Sequence, residues 1–361
     1  MTAETSTTES RATWVRSLAL SAVFLIALLG LAEAALRTSY AFEAMPMPMP
    51  YYTYDVTHRL YHYDALTRER GPVDVLFVGS SAMRAAIRPP VFDKAVHEAS
   101  GGKVLSFNGG FSGMYPDSAR LYLEHVWFAH DKPRFVLHGI RPTELIADMS
   151  RSPTVLRNGL VESLWSETNA LSMLEAELIG QSKLLQYRGT LNALLTRWSK
   201  GQPIHISSKH RELLSDSTGY REEPGKLSAL LGQKRNKLWT YSAPIKRSDL
   251  ERGLRVLDAM RRRCQKAGVQ YVLVHLPEHP NRYGHKRGPA TWQLYQEMVK
   301  AWSKAHAVPF IDVTRGDYRR FAGDVEHYSD YHHLSASGAK VLSELVAQDF
   351  AALLEAHGDG K

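Results

Sequence analysis

From residue 71 onward, short apolar runs alternate with amphipathic ones, and this alternation constrains the fold more than any other feature. The runs 73–78 (VDVLFV), 104–107 (VLSF), 134–138 (RFVLH), 270–276 (QYVLVHL) and 308–312 (VPFID) have the length and side-chain content of strands. Helix-like runs at 116–129, 248–266 and 290–305 lie among them, and SASGAKVLSELVAQDFAALLEAH runs to near the C-terminus. Strands without a polar face must be covered on both sides, which predicts a parallel sheet between two helical layers. The expected fold is α/β, a flavodoxin-like three-layer sandwich with about five parallel strands. Ligands of such sheets sit beyond the carboxyl ends of the strands.

Residues 148–245 interrupt the pattern. LVESLWSETNALSMLEAELIG and KLLQYRGTLNALLTRW read as helices, and a polar stretch without a clear period follows. This predicts a mainly helical insertion in the sheet domain, with a lid and a docking surface as its candidate roles. No internal repeat and no long low-complexity tract is present.

The N-terminus carries Arg11 and Arg16 ahead of an almost wholly apolar run at 17–36, interrupted by Ser17, Ser21 and Glu33. A helix needs about 20 apolar residues to cross a bilayer core. Two readings compete: an uncleaved transmembrane signal anchor, and a signal peptide cleaved at the small-x-small site Ala32-Glu33-Ala34. The anchor is preferred, because apolar character continues to Leu36 and Arg37 supplies an interfacial end. Either reading exports the rest of the chain, with the basic tail inside. The stretch AMPMPMPYYTYD (44–55) follows, and its alternating prolines favour an extended spacer. Tyr51, Tyr52 and Tyr54 suit the headgroup level, and the spacer is preferred to a soft-metal role for Met45, Met47 and Met49. The expected organisation is a tail (1–16), an anchor (17–36), an extended linker (37–70) and an α/β domain (71–361).

The formal net charge is +8, from 45 basic and 37 acidic residues. That suits an anionic neighbour such as a phospholipid surface, an acidic polymer or nucleic acid. Export and the lack of a recognisable module argue against nucleic acid. The clusters Arg261-Arg262-Arg263 and Lys209-His210-Arg211 read as solvated faces. A single cysteine, Cys264, excludes an intrachain disulfide and a thiolate zinc site, and it reads as a partly buried helical thiol.

Three stretches carry candidate chemistry. Gly79-Ser80-Ser81 ends the first strand, where a serine caps a helix or serves as a nucleophile. FNGGFSGMYP (107–116) follows the second strand, and its glycines let backbone N–H groups approach a ligand. It lacks the GK[ST] and G-x-G-x-x-G spacings, so an oxyanion hole fits it better than a phosphate cradle. HYSDYHHLSASGAKVL (327–342) precedes the last helix. There Asp330 can orient His333, three residues on, towards a serine, with His332 as the alternative base. His275, His279 and His285 invite a metal reading, but Pro277 and Pro280 exclude a regular helix, and a loop at the site's rim is the milder account.

The order of these elements resembles the SGNH/GDSL hydrolase superfamily over about residues 73–146 and 268–355. The resemblance implies Ser81 as nucleophile, with Ser80 in place of the family's aspartate. It implies Asp330 and His333 as the remaining triad members. Gly110 falls on the family's oxyanion-hole glycine, so the amides of Ser81 and Gly110 are the expected donors. The family's Gly-x-Asn-Asp block stands here as Gly139-Ile140-Arg141-Pro142. This leaves Arg141 or Asn108 as candidate third donors, with Arg141 as an anion binder or a structural partner of Glu144 as alternatives.

A single span followed by such a domain is also similar in architecture to the D-alanine transfer and alginate O-acetylation proteins of bacterial cell-surface acylation. That likeness implies a membrane-bound O-acyltransferase partner, a cell-surface polysaccharide or polyol acceptor, and a single-pass location in the bacterial cytoplasmic membrane with the domain outside the cytoplasm. The expected activity is serine acyl transfer or ester hydrolysis through an acyl-enzyme, with neither metal nor cofactor. A simple exported carboxylesterase and a catalytically silent polymer-binding module are the alternatives.

Overall fold

The computed structural model describes residues 5–38, 51–146, 174, 178, 181–203, 216–223, 225–231, 245–279, 288–312 and 316–356. The proline–methionine stretch 44–50, Lys209-His210-Arg211, His285 and nearly all of 147–180 lie outside the described residues.

Five strands form one parallel sheet: β1 (Val75–Val78), β2 (Ser106–Asn108), β3 (Phe135–Ile140), β4 (Gln270–His275) and β5 (Phe310–Ile311). Their order is β2-β1-β3-β4-β5. This is the flavodoxin-like order, whose switch point lies between β1 and β3. Every residue of β1 and β3 is buried, as strands covered on both faces must be.

The helices divide into two layers, each with its own apolar core. One face of the sheet carries α3 (Ser81–Ala86), α4 (Pro89–Ser100), α11 (Asp317–Gly323) and α12 (Ala336–Ala356). The other carries α2 (Tyr51–Arg70), α5 (Pro116–Tyr122, continued by a wide turn to His130), α9 (Arg247–Ala267) and α10 (Gly288–Ala305). Local chemistry sets the ends. α4 begins on Pro89-Pro90 and stops at Gly101, whose φ of 71° suits glycine. Cys264 is fully buried in α9, and burial pushes its thiol up to about 12.

Where an extended linker is expected over 37–70, residues Tyr51–Arg70 form the helix α2. The prolines end at Pro50, so nothing in 51–70 forbids a helix. Val56, Leu60, Tyr63 and Leu66 recur at helical spacing and are buried. The Tyr63 ring sits 5.2 Å from Phe107 and 5.0 Å from Trp127. α2 is therefore part of the core.

The insertion contributes α7 (Lys183–Ser199), a strap at 216–223 and α8 (Leu227–Leu231). The strap is tied to the carboxyl edge of the sheet by backbone groups. Asn108 N donates to Thr218 O at 2.9 Å, and Arg221 N to Arg84 O at 3.3 Å. A Cβ on Gly219 would lie 2.0 Å from Asn108 O, so only glycine fits. Leu227 N donates to Tyr328 O at 3.0 Å, which joins α8 to the stretch ahead of Asp330.

The first helix, α1 (Thr5–Leu36), includes one segment, Thr13–Leu36, long and apolar enough to cross a membrane. Its most apolar window is unburied by the rest of the chain. Near its end, the Glu33 carboxylate accepts from Ser182 Oγ (2.8 Å), Lys183 N (2.9 Å) and Leu184 N (3.0 Å). A carboxylate there satisfies the amides that open α7.

The C-terminal helix predicts a measurable effect. Ser335 Oγ accepts from Gly338 N at 3.2 Å, and a Cβ on Gly338 would lie 2.1 Å from His327 O. Gly338→Ala must push back the chain leading to Asp330. We expect it to cost about 1–3 kcal/mol, read from the urea midpoint of unfolding.

Candidate active site

The site begins where β1 ends. Gly79, with φ of 148°, turns the chain, and a Cβ on it would meet Met83 Cβ at 2.9 Å and Gly139 O at 3.0 Å. The two serines that follow divide the work. Ser80 is buried and caps α3, its Oγ accepting from Ala82 N at 3.1 Å. Ser81, the first residue of α3, is only half-buried and places its Oγ 2.8 Å from His333 Nε2.

The loop before α12 holds the other two groups. Asp330 Oδ2 lies 2.7 Å from His333 Nδ1, and Oδ1 accepts from the amides of His332 and His333 at 2.8 Å each. With Nδ1–H given to the carboxylate, Nε2 is left to accept the Ser81 hydroxyl. Burial raises the Asp330 pKa, but the His333 hydrogen bond, the charges of His333 and His332, and the His332 amide outweigh it and hold the carboxyl well below its usual range. The sign follows: Asp330 contributes stability above about pH 4, and this is lost as pH falls through its lower folded value. His332 lies alongside, its ring 4.1 Å from that of His333, and its Nδ1 3.4 Å from Asp330 Oδ1. His333 is the ring that reaches Ser81.

The structure therefore brings Ser81, His333 and Asp330 into one hydrogen-bonded line. It places the expected oxyanion donors differently. The Ser81 amide, at the open end of α3, makes no hydrogen bond among the described residues. Gly110 packs against the Gly79 turn and the start of α3, where a Cβ would lie 2.9 Å from Arg84 N and 3.1 Å from Gly79 O. Its amide, however, donates to Asn108 Oδ1 at 3.1 Å, so an oxyanion would have to displace that carbonyl.

Asn108 itself is not a third donor. It is fully buried, and its Nδ2 is taken by the carbonyls of Ile87 (2.8 Å), Met83 (3.0 Å) and Arg84 (3.3 Å). It binds the end of α3 to β2. Arg141 is not one either, for its guanidinium is locked below the site. Nε and Nη2 donate to Glu144 Oε1 at 2.9 and 2.7 Å, and Nη2 also reaches Ser80 Oγ at 3.3 Å. Nη1 donates to His332 O at 3.1 Å and stands 3.8 Å from Glu278. The structural pairing with Glu144 is thus the reading the geometry supports. Arg141 joins the Ser80 turn to the Asp330–His333 loop, and Glu144 also accepts the Ser80 hydroxyl.

Two contributors were not legible as site residues. Glu278 follows Pro277, without a periodic signal. Glu223, on the strap, pairs with Arg84, which also donates to Ser112 Oγ at 2.9 Å. The pair clamps the strap onto α3.

Among the described residues, Asp330, His332 and His333 form one cluster whose metal-ligand atoms lie within 4.8 Å of one another. Their atoms already engage each other, two backbone amides and Ser81, which suits a proton relay better than a cation shell. His275 is fully buried among Trp292, Tyr295 and Phe310, and His279 packs on Tyr328 and Tyr331. Neither belongs to a three-ligand group among the described residues.

No protein-family model matches the chain, and no curated protein matches it. Solved structures do. A GDSL-like lipase from Bacteroides thetaiotaomicron is 14% identical, with 82% of this chain and 100% of that chain covered and a TM-score of 0.38. A psychrotrophic esterase from Pseudoalteromonas sp. is 10% identical, covering 78% and 99%, with a TM-score of 0.40. An acetylxylan esterase from Geobacillus stearothermophilus is 11% identical, covering 76% and 92%, with a TM-score of 0.39. At these identities and scores the likeness says nothing about chemistry, which has to be read from the chain's own geometry.

Proposed function

We propose that the chain is a serine acyltransferase or esterase, exported and membrane-anchored, acting through an acyl-enzyme on O-acyl groups of a cell-surface polysaccharide or polyol polymer. The observation that carries this is the Ser81–His333–Asp330 line at the sheet's carboxyl edge. His333 Nε2 takes the Ser81 proton as Oγ attacks an acyl carbonyl. The Ser81 amide faces the developing oxyanion, joined by Gly110 once its amide leaves Asn108. His333 then returns the proton to the leaving oxygen. A hydroxyl of the polymer takes up the acyl group in transfer, and water takes it in hydrolysis. A membrane-bound O-acyltransferase supplying the acyl group fits this scheme as a partner.

The anchor is supported by Glu33. Cleavage after Ala34 would remove the carboxylate that opens α7. A target in the aqueous space, away from the bilayer, is supported by the placing of α1. Arg37 Nη2 donates to Gln181 O at 2.9 Å, and Gln181 shares a cavity with Arg263, Lys266 and Ala267 at the last turn of α9. The first half of α9 packs on α6 (Pro142–Ile146), beside Arg141 and the reactive edge. The 21 residues of α9 span about 30 Å, so the anchor and Ser81 lie towards opposite ends of the domain.

A silent polymer-binding module is the second reading, favoured by the engaged Gly110 amide and the locked Arg141. Loss of one oxyanion donor costs about 10²–10³-fold, which slows an enzyme without silencing it. The full chain is therefore expected to hydrolyse p-nitrophenyl acetate, and mass spectrometry of the surface polymer is expected to show acyl groups that vanish with Ser81→Ala. No turnover, together with unchanged acylation, would favour the silent module.

A further inference from the structure

Where α1 meets the domain, a cavity of about 280 Å³ opens between Leu36, Arg37, Thr38, Tyr61, Arg68 and Lys183. Asp64 and Tyr187 line it too; Lys183 pairs with Asp64 and donates to Gln186, and its Nζ lies 6.0 Å from the Tyr187 ring. A second cavity, of about 340 Å³, lies beside Gln181 and is lined by Lys132, Arg263 and Lys266. Arg37 links the two, since it lines the first and donates to Gln181 O at 2.9 Å. Six cations thus meet three carboxylates here: Glu33, Asp64 and Glu124.

The position gives this charge its meaning. The apolar helix ends at Leu36, a wall of the first cavity, so the boundary between hydrocarbon and water falls at its mouth. Arginine and lysine beside a span attract anionic lipids, and tyrosine suits the headgroup layer. Leu36 and the rings of Tyr61 and Tyr187 give apolar walls, and three cations, Arg37, Arg68 and Lys183, line the space against one carboxylate, Asp64, which leaves a net positive lining for a phosphate.

We infer that this cavity binds the phosphate-bearing headgroup of an anionic phospholipid, and that the neighbouring basic surface rests on the same leaflet. The site rests on α1 being a retained anchor, and it is independent of the chemistry at Ser81. A bound lipid would hold the domain at one orientation, with the reactive edge turned away from the bilayer.

The test uses the full chain in nanodiscs of mixed phosphatidylglycerol and phosphatidylcholine, with native mass spectrometry of the lipid retained. Phosphatidylglycerol is expected to be retained in preference. Arg37→Gln/Arg68→Gln is expected to lower that retention about tenfold or more. Lys94→Gln/Lys340→Gln, the same charge change between α4 and α12, is expected to leave it unchanged. The urea midpoint of unfolding should stay the same in both variants, which reports folding whatever the chemistry at Ser81. Ser81→Ala should retain lipid, so failure of the chemistry and failure of this site are told apart. Equal retention of the two lipids, or equal loss in both charge variants, would overturn the inference. Displacement of the lipid by excess inorganic phosphate would assign the cavity to a free anion and would overturn it as well.

Discussion

Ser81→Ala is expected to lower kcat/KM for p-nitrophenyl acetate by roughly 10⁴–10⁶-fold, while Ser80→Ala keeps most of the activity. The two hydroxyls are neighbours in sequence and differ in what they touch. Ser81 Oγ stands 2.8 Å from His333 Nε2, on a half-buried residue at the mouth of the site. Ser80 Oγ is buried between Ala82 N, Glu144 and Arg141. Removing Ser81 deletes the bond-forming atom. Removing Ser80 deletes a helix cap and a partner of Glu144, at about 1–2 kcal/mol of stability. Its kinetic cost comes only through small displacement of Ser81, less than about 10²-fold. Steady-state kinetics with urea unfolding of both variants reads the two effects separately. Comparable kinetic losses from the two changes would remove Ser81's claim to be the nucleophile.

Arg141→Ala is expected to destabilise the fold by about 3–5 kcal/mol. Arg141 and Glu144 are almost wholly buried, and Glu278 lies 3.8 Å from the same guanidinium. Taking the cation away strands carboxylates in the interior. It also frees His332 O, and with it the loop that carries Asp330 and His333. Arg141→Met/Glu144→Leu is expected to regain part of the stability, since both charges leave together. It should not regain full turnover, because the tie between the Ser80 turn and the Asp330 loop stays broken. Arg141→Lys should fall between, for an ammonium cannot serve Glu144, Ser80 and His332 O from one plane. Urea midpoints and kcat/KM measured on the three variants check this. A fully active, fully stable Arg141→Ala would show the network to be dispensable.

The sheet was legible because its strands are buried on both faces. The runs Val75–Val78 and Tyr271–Val274 are unbroken apolar segments, and the structure keeps them as neighbours of β3 in the expected parallel sheet. A strand end marked Gly79-Ser80-Ser81 and a three-residue spacing marked Asp330 and His333 as candidates, but the choice of Ser81 over Ser80 and the triad roles came from the resemblance to the SGNH/GDSL hydrolases. What escaped was carried by groups with no periodic mark. The strap at 216–223 is bound through backbone atoms and one close approach at Gly219, so its polar sequence gave no sign of contact. α2 escaped because the prolines before it and its many polar residues masked the Val56, Leu60, Tyr63 and Leu66 spacing. Asn108 and Arg141 pointed to an oxyanion hole by position in the chain. In the folded chain, burial commits their hydrogens to Ile87, Met83, Glu144 and His332, partners that no sequence spacing marks.

The most direct measurement is labelling of the full chain with a fluorophosphonate, followed by peptide mapping of the adduct. We expect phosphonylation of Ser81 Oγ, lost in Ser81→Ala, strongly slowed in His333→Asn and kept in Ser80→Ala. An adduct mapped to Ser80, or labelling that persists unchanged in Ser81→Ala, would contradict the account.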